Sequence, residues 1–485
     1  LRPVNLKPDL HDLEMMKKKT TPFDAPVLRA IGRVADQAGY AAYAVGGYVR
    51  DRLLGKSGKD IDIVVVGDGP DFARLLADHL NIANISIFKK FGTAMLRYRG
   101  LVIEVVGARR ESYRSNSRHP EVEGADLETD LARRDFTINA LAVALNGANP
   151  GEVIDPFSGL ADLHAGIIRT PLEPLRTFSD DPLRILRAIR FATQLQFEIE
   201  PLTLAALGSE RERLAIISQE RISDELIKML ASNKPSIALR LLSDSGVLDL
   251  VLPEIAALKG VDQIAGYRHK DVFEHTLKVV DNVARVSDKL GLRVAALYHD
   301  VAKPQTKEFK PGVGWSFHGH EELGARLFPA IGRRLRLPQE TIDYTQKLIR
   351  LHLRPIHLAE EGVTDSAIRR LIFLGGAELD DLITLCRADI TSGNPGRVAR
   401  HLANFDVVVE RMLAVEERDR LRAFQPPVRG EEIMAVLGLP PGPMVGRIKK
   451  ALEEAILDGI IANEHDAAFA YMLQIKEELL ADAPQ

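Results

Sequence analysis

Cysteine is nearly missing from this chain. Cys386 is the only one in 485 residues, which excludes an internal disulfide and suits a reducing cytosol. Long apolar runs are missing too: none approaches the roughly 18 residues that a membrane-spanning helix needs. The first residues, "LRPVNLKPDLHDLEMMKKKT", lack the apolar core of a signal peptide. They begin with Leu1 rather than Met, so residues 1–25 read as a loose leader with a processed or truncated end. A large charge excess is also lacking. The formal net charge of −4 argues against a uniformly basic nucleic-acid coat, while leaving room for a local basic groove. No internal repeat or low-complexity tract is present.

What is present is an ordinary globular composition, 46% hydrophobic and 27% charged. The chain is too long for one core and suggests about three or four domains. From 26 to about 150, short β-branched runs ("YAAYAV", "DIDIVVVG", "NISIF", "TAMLRY", "LVIEVVG") alternate with helical patterns, which predicts a small α/β domain. "IDPFSGLADL" (154–163) carries turn signals and marks its exit. From there on the patterns are helical. In "DPLRILRAIRFATQL" and "ERISDELIKMLAS" apolar residues recur at three- and four-residue spacing. A composition shift near 252–271 brings frequent histidines, and a charged helical section follows from about 411. The fold class expected is therefore α+β: a small α/β head (26–150), a helical neck and body (151–255), an all-α histidine-rich domain (256–410) and a helical tail (411–485).

The stretch "AVGGYVRDRLLGKSGKDIDIVVVGDG" (44–69) ties a glycine pair to an Asp-x-Asp. Residues two apart in a strand face one side, so Asp60 and Asp62 project together while Ile61 and Ile63 pack inward. Two adjacent carboxylates repel, and a divalent cation relieves them. Oxygen ligands with room for water and substrate phosphate suit Mg²⁺. Gly46 and Gly47 let the backbone approach a ligand, and the helix that follows turns its N-terminus toward a phosphate, with Arg50 one turn in. Glu104, in the strand "LVIEVVG", supplies a third acid. The stretch reads as a nucleoside-triphosphate site.

"VGGYVRD" with "DIDI" resembles the nucleotidyltransferase superfamily related to DNA polymerase β. Further motifs narrow the likeness to the class II tRNA nucleotidyltransferases (CCA-adding enzymes) and the bacterial poly(A) polymerases. "RRDFTINALA" (133–142) looks like that family's second motif, in which the equivalents of Arg134 and Asp135 contact the ribose and Asn139 supports the site. "DPFSGLADLHAGIIRT" (155–170) is similar to its hinge. "SDDPLRILRAIRFA" (179–192) resembles the fourth motif, opening with Asp180-Asp181 where the family has Glu-Asp. The likeness makes Asp181 and Arg184 the readers of the incoming base, with Arg187 and Arg190 along the same helix. "ERISDEL" (220–226) resembles the last neck motif. Arginine can donate two parallel bonds to a base edge, and aspartate can accept from an exocyclic amine. Such a pair would take C and A and reject U and G. The resemblance implies attack of an RNA 3′-hydroxyl on CTP or ATP. Asp60 and Asp62 would hold the metals, and Glu104 would support them or orient the hydroxyl.

The second constellation comprises His275, His299, Asp300, His318, His320, His352 and Asp389. Imidazoles and carboxylates spread over helices suit a transition metal such as Mn, Fe, Co, Ni or Zn. Their order resembles the HD phosphohydrolase superfamily. Carried over, His275, His299, Asp300 and Asp389 form one metal site, and His320 and His352 serve a second. In the tail, "GEEIMAVLGLPPGPMVGRIKKALEEAILDG" (430–459) joins a Gly/Pro loop to a basic helix start at Arg447, Lys449 and Lys450, a candidate contact for an RNA phosphate.

The expected function is therefore template-independent addition of CCA to the 3′ end of tRNA, in the cytoplasm, with tRNA, CTP and ATP as partners and no membrane. Poly(A) synthesis, or addition of A or CC alone, shares the same motifs. An HD phosphohydrolase with an RNA-binding head is the alternative from another class. The sequence carries no sign of oligomeric state.

Overall fold

The computed structural model describes residues 22–88, 92–112, 121–260, 263–264, 267–268, 271–312, 314–358, 364–391, 394–419 and 427–481. All but the last four residues of the expected leader lie outside them. The chain divides into two compact units, Leu1–Pro253 and Glu254–Gln485.

The first unit opens with helix Pro26–Ala38, which has proline in its first turn, where no backbone N–H is needed. Its apolar stripe, including Leu28, Ile31 and Val34, is buried against the first strand and helix Gly69–Leu80. Each such side chain contributes roughly 1.5–3 kcal/mol relative to exposure. The sheet is built from β1 (Ala41–Val45), β2 (Asp60–Val66), β3 (Ile85–Phe88), β4 (Thr93–Tyr98), β5 (Leu101–Gly107), and, after a separate hairpin of β6 (Arg109–Ser112) and β7 (Glu121–Gly124), β8 (Ala142–Ala144) and β9 (Val153–Ile154). The order is β3-β4-β5-β2-β1-β8-β9. Only β2 and β5 run parallel.

Strand β2 lies in the middle of this sheet, and from Ile63 to Val65 every side chain is buried. A strand covered on both faces reads as a continuous apolar run, which is why its acids are confined to the first three residues. Helix Gly69–Leu80 lies on β4 and β5. A Cβ on Gly69 would stand 2.5 Å from the backbone nitrogen of Gly107, so only glycine permits this approach. Downstream, helix Leu183–Leu195 forms with the predicted periodicity. It buries Ile185, Leu186, Ala188, Ile189 and Ala192 and packs on helices Gln219–Leu230 and Ser236–Asp244.

The second unit has helix Leu290–Tyr298 at its centre. Leu292, Ala295, Ala296 and Leu297 are buried where it meets helices Val272–Val286, Gln339–Leu351 and Leu379–Asp389. Helix His320–Arg334 lies against Gln339–Leu351, and a short hairpin, Glu308–Lys310 with Gly314–Ser316, precedes it. Helices Gly430–Leu437, Pro443–Leu457 and His465–Ala481 share a small core around Ile433, Ile448, Leu452 and Met472. Among the described residues no helix is long and apolar enough to cross a membrane.

Candidate active sites

In the first unit the glycine pair is not a loop after β1. It forms the first two residues of helix Gly46–Leu53. Gly46 has φ of 68°, and its N–H donates to the Leu141 carbonyl. A Cβ there would meet Nη1 of Arg134 at 2.8 Å and Oδ2 of Asp62 at 3.5 Å. Glycine is thus required twice, for the left-handed backbone and for the close approach of the carboxylate and guanidinium.

The acids gather at the start of β2. Asp60 is exposed, Asp62 is half-buried, and Glu104 is the register partner of Asp62 on parallel β5. Burial pushes the Asp62 carboxyl above its ordinary range and Asp60 adds to this, against the pull of Arg134 and Arg50. Burial, then Asp62, raises Glu104 likewise. Carboxylate oxygens whose negative charge is this crowded around Asp62 suit a hard divalent cation.

Beside Asp62 opens a cavity of about 580 Å³. All of the nucleotide-binding candidates line it: Gly46, Gly47, Arg50, Arg134, Asp135, Asn139, Asp181, Arg184, Arg187 and Arg190. Their bonding differs. Asp135 Oδ2 accepts from Arg187 Nε at 2.8 Å and Nη2 at 2.5 Å, and its Oδ1 accepts from Asn139 Nδ2 at 2.9 Å. Asn139 Oδ1 accepts in turn from Arg50 at 2.6 Å. Arg187 and Asn139 overcome the effect of burial and hold Asp135 below the usual carboxylate range. Arg184 Nη2 donates to the Arg133 carbonyl at 2.7 Å, while Asp181 faces Arg221 at 3.5 Å. Arg190 is turned to the buried Glu225 at 2.5 Å, so it braces two helices besides lining the cavity.

Three contributors escaped the sequence reading. The Phe191 ring is approached by the guanidiniums of Arg50 (4.9 Å), Arg187 (5.4 Å) and Arg190 (3.9 Å). Its electron-rich face eases the clustering of like charges. Arg133 lines the cavity as well. Asp130, 0% exposed, accepts from Arg133 at 3.0 and 2.7 Å and from Arg134 at 3.0 Å. The signal was available, since in "DLARRD" the acid stands three and four residues before the two arginines, one helical turn away.

In the second unit the structure brings together all six metal-ligand candidates and leaves His318 exposed, outside the cluster. His275 comes from helix Val272–Val286, and the others sit at helix ends. His299 and Asp300 follow Leu290–Tyr298, His320 opens its helix, His352 follows Gln339–Leu351, and Asp389 closes Leu379–Asp389. The C-terminal ends of helices leave carbonyls without intrahelical partners, which His299 and His352 use, while His320 uses a carbonyl just ahead of its own helix; each of these carbonyls lies three residues back. Nδ1 of His299, His320 and His352 bonds the carbonyls of Ala296, Phe317 and Ile349 at 2.9, 2.8 and 2.7 Å. Nδ1 of His275 meets the Thr391 hydroxyl at 2.7 Å. Each contact fixes a ring so that Nε2 faces the centre, the usual orientation of a metal-bound imidazole.

Asp300, expected with His275, His299 and Asp389, stands beside the second pair as well. His275, His299 and Asp389 form one set, and Asp300 joins His320 and His352 in the other. The reason lies in the two oxygens of one buried carboxylate. Asp300 Oδ2 stands 3.2 Å from His299 Nε2 and 3.6 Å from His275 Nε2, while Oδ1 stands 3.2 Å from His320 and 3.8 Å from His352. Asp300 therefore faces both sets. Its buried Oδ1 accepts no hydrogen bond among the described residues, and Lys303 Nζ lies 2.6 Å from Oδ2. Electrostatics match a cation site. Burial would lower His299, yet Asp300 and Asp389 raise it to about 10, while burial and His299 push His352 down to about 3. Two carboxylates in a dry pocket need positive charge, and the inward nitrogens and oxygens fit a divalent transition metal in each set. In the tail, Arg447, Lys449 and Lys450 are exposed on helix Pro443–Leu457.

Comparison with known proteins joins these features. Residues 42–169 match the poly A polymerase head domain, 196–259 the probable RNA and SrmB-binding site of polymerase A, and 272–393 the HD domain. The chain is 36% identical over 356 residues to an A-adding tRNA nucleotidyltransferase of Deinococcus radiodurans, covering 70% of this chain and 78% of that protein. It is 34% identical over 438 residues to a CC-adding tRNA nucleotidyltransferase of Thermus thermophilus, covering 88% and 92%. The solved CCA-adding enzyme of Bacillus stearothermophilus in complex with CTP is 25% identical, with a TM-score of 0.67 over 96% of this chain and 100% of that one.

Proposed function

We propose a function from the premise that the chain belongs to the tRNA nucleotidyltransferase family: it completes the 3′-terminal CCA of tRNA from CTP and ATP without a nucleic-acid template. The observation that carries this reading is the cavity that joins Asp62 and the glycine turn to the Asp135–Arg187–Asn139 cluster and to Asp181 and Arg184. Triphosphate, ribose and base thereby meet successive walls of one space. Asp60 and Asp62 would hold Mg²⁺, which when bound supplies activation of the attacking hydroxyl and neutralisation of the departing pyrophosphate. Gly46, Gly47 and Arg50 seat the phosphates. Arg134, Asp135 and Asn139 seat the ribose, and Asp181 and Arg184 read the amine edge shared by C and A. Glu104 orients the 3′-hydroxyl. Its oxygen bonds to the α-phosphorus, the bond to the β-phosphate oxygen breaks, pyrophosphate leaves, and the hydroxyl proton passes to solvent.

Residues 26–150 act as the catalytic head and 151–255 as the base-reading neck, while 256–410 carries a phosphohydrolase. There His275, His299, Asp389, Asp300, His320 and His352 would hold two transition-metal ions (Mn, Ni, Co, Fe or Zn), which when bound supply an activated water for attack on a phosphoester. The tail, 411–485, offers Arg447, Lys449 and Lys450 to an RNA phosphate. The unpaired Cys386 suits action in the cytoplasm.

The test offers the protein tRNA ending at its discriminator base, with labelled CTP and ATP separately and together. Three added nucleotides, with A entering only after two Cs, are expected. A-adding and CC-adding relatives make partial addition the competing result: a lone A added only to tRNA ending in CC, or arrest after CC, would replace this reading. Asp62→Ala should abolish incorporation and spare phosphohydrolysis, and His299→Ala should do the reverse.

A further inference from the structure

We propose that the paired strands Glu308–Lys310 and Gly314–Ser316, with Phe317 beyond them, form a stacking lane for single-stranded RNA that leads two successive 3′-terminal bases to the HD centre. The inference rests on the phosphohydrolase reading of that centre and adds to it a binding site. Trp315 lies in the strand Gly314–Ser316, and Phe317 follows that strand directly, two residues on from Trp315. Phe309, the register partner of Trp315, packs against the indole, with ring centroids 5.3 Å apart.

The Phe317 end of this aromatic cluster lies beside the metal ligands. The Phe317 ring lies 5.7 Å from Lys303 Nζ, which itself stands 2.6 Å from Asp300 Oδ2. The Phe317 carbonyl holds His320. At the far end Lys307 Nζ lies 4.5 Å from the Trp315 ring. Aromatic rings flanked at either end by an ammonium group therefore lead to the buried centre, a combination suited to binding single strands by stacking bases and pairing phosphates. Lys307 is long and flexible and can exchange the indole face for a phosphate. The indole N–H of Trp315 is buried without a hydrogen-bond partner among the described residues. A small phosphoester would use only the Lys303 end, so the rings mark a substrate that carries bases.

Trp315 is the only tryptophan in the chain, so tryptophan fluorescence reports on this lane. Metal-free full-length protein would be titrated with the oligonucleotide ACCA, with CMP, with ribose 5-phosphate and with inorganic phosphate. Saturable quenching by ACCA, weaker quenching by CMP and none by the other two is expected. No response to ACCA, or an equal response to phosphate, would overturn the lane. With metal restored, Trp315→Leu should raise KM for a 3′-phosphorylated RNA about five-fold or more, well beyond any change for glycerol 2-phosphate, and be rescued by Trp315→Phe. Equal loss on both substrates would also overturn it. Quenching without hydrolysis of any ester would refute the phosphohydrolase and leave the binding lane standing.

Discussion

Replacing Asp130 by asparagine tests how the nucleotide cavity is held open. The carboxylate is 0% exposed and receives three guanidinium hydrogen bonds of 2.7 to 3.0 Å from Arg133 and Arg134. Breaking a buried pair by removing one charge costs about 3–5 kcal/mol. The two arginine side chains are 20% and 18% exposed and regain some hydration, and asparagine keeps one acceptor. A loss of about 2–3 kcal/mol in the stability of the first unit is therefore expected. The functional effect runs through two links. Arg134 stands beside Asp62 and Gly46, and the Arg133 carbonyl holds Arg184. Freeing both arginines should lower kcat/KM for CTP and ATP by about 10- to 100-fold, or ~1.4–2.7 kcal/mol of transition-state binding. Urea unfolding and single-nucleotide incorporation would measure the two effects. Burial alone would raise the Asp130 pKa, but Arg134 and Arg133 hold it below the ordinary value of 3.8. Its stabilisation is thus complete above that value and fades as pH falls through the lowered one. The gap between wild type and Asp130→Asn should be constant from about pH 8 to 5 and shrink below about 4. Lost stability with unchanged kcat and KM would refute the positioning role, and unchanged stability would refute the buried pair.

Other outcomes follow from the same geometry. Asp62→Asn should abolish incorporation when Mg²⁺ is supplied, yet stabilise the first unit of chelator-treated protein. A carboxylate whose folded pKa is raised begins to cost stability as pH rises through its ordinary value of 3.8, and the cost is complete above the raised value, so in urea titrations the gain should appear as pH rises above about 4 and then level off. Gly46→Ala forces a side chain into left-handed backbone at about 1–2 kcal/mol and against Arg134 at 2.8 Å. Incorporation should collapse while circular dichroism stays native-like. Arg447→Ala with Lys449→Ala and Lys450→Ala should weaken tRNA binding uniformly across tRNA sequences and reduce the salt slope of log K by about 0.7 to 0.9 per lost phosphate contact.

The sequence alone determined the pieces whose physics is local. Strand β2 announces itself because alternation puts Asp60 and Asp62 together ahead of a run buried on both faces. Helix Leu183–Leu195 follows from its apolar period, and the ordered motifs carry the family likeness. The histidine positions were legible for the same reason, as residue types in a recognisable order. Tertiary structure decided which atoms meet. Only the parallel pairing of β2 with β5 sets Glu104 beside Asp62, since no local rule relates residues forty apart. Only the fold gives Arg190 to Glu225 and Arg187 to Asp135, because three arginines on one helix look alike until partners surround them. The division of Asp300 between two ligand sets likewise depends on where four helix ends converge. Local sequence names the donors, and long-range packing chooses their partners.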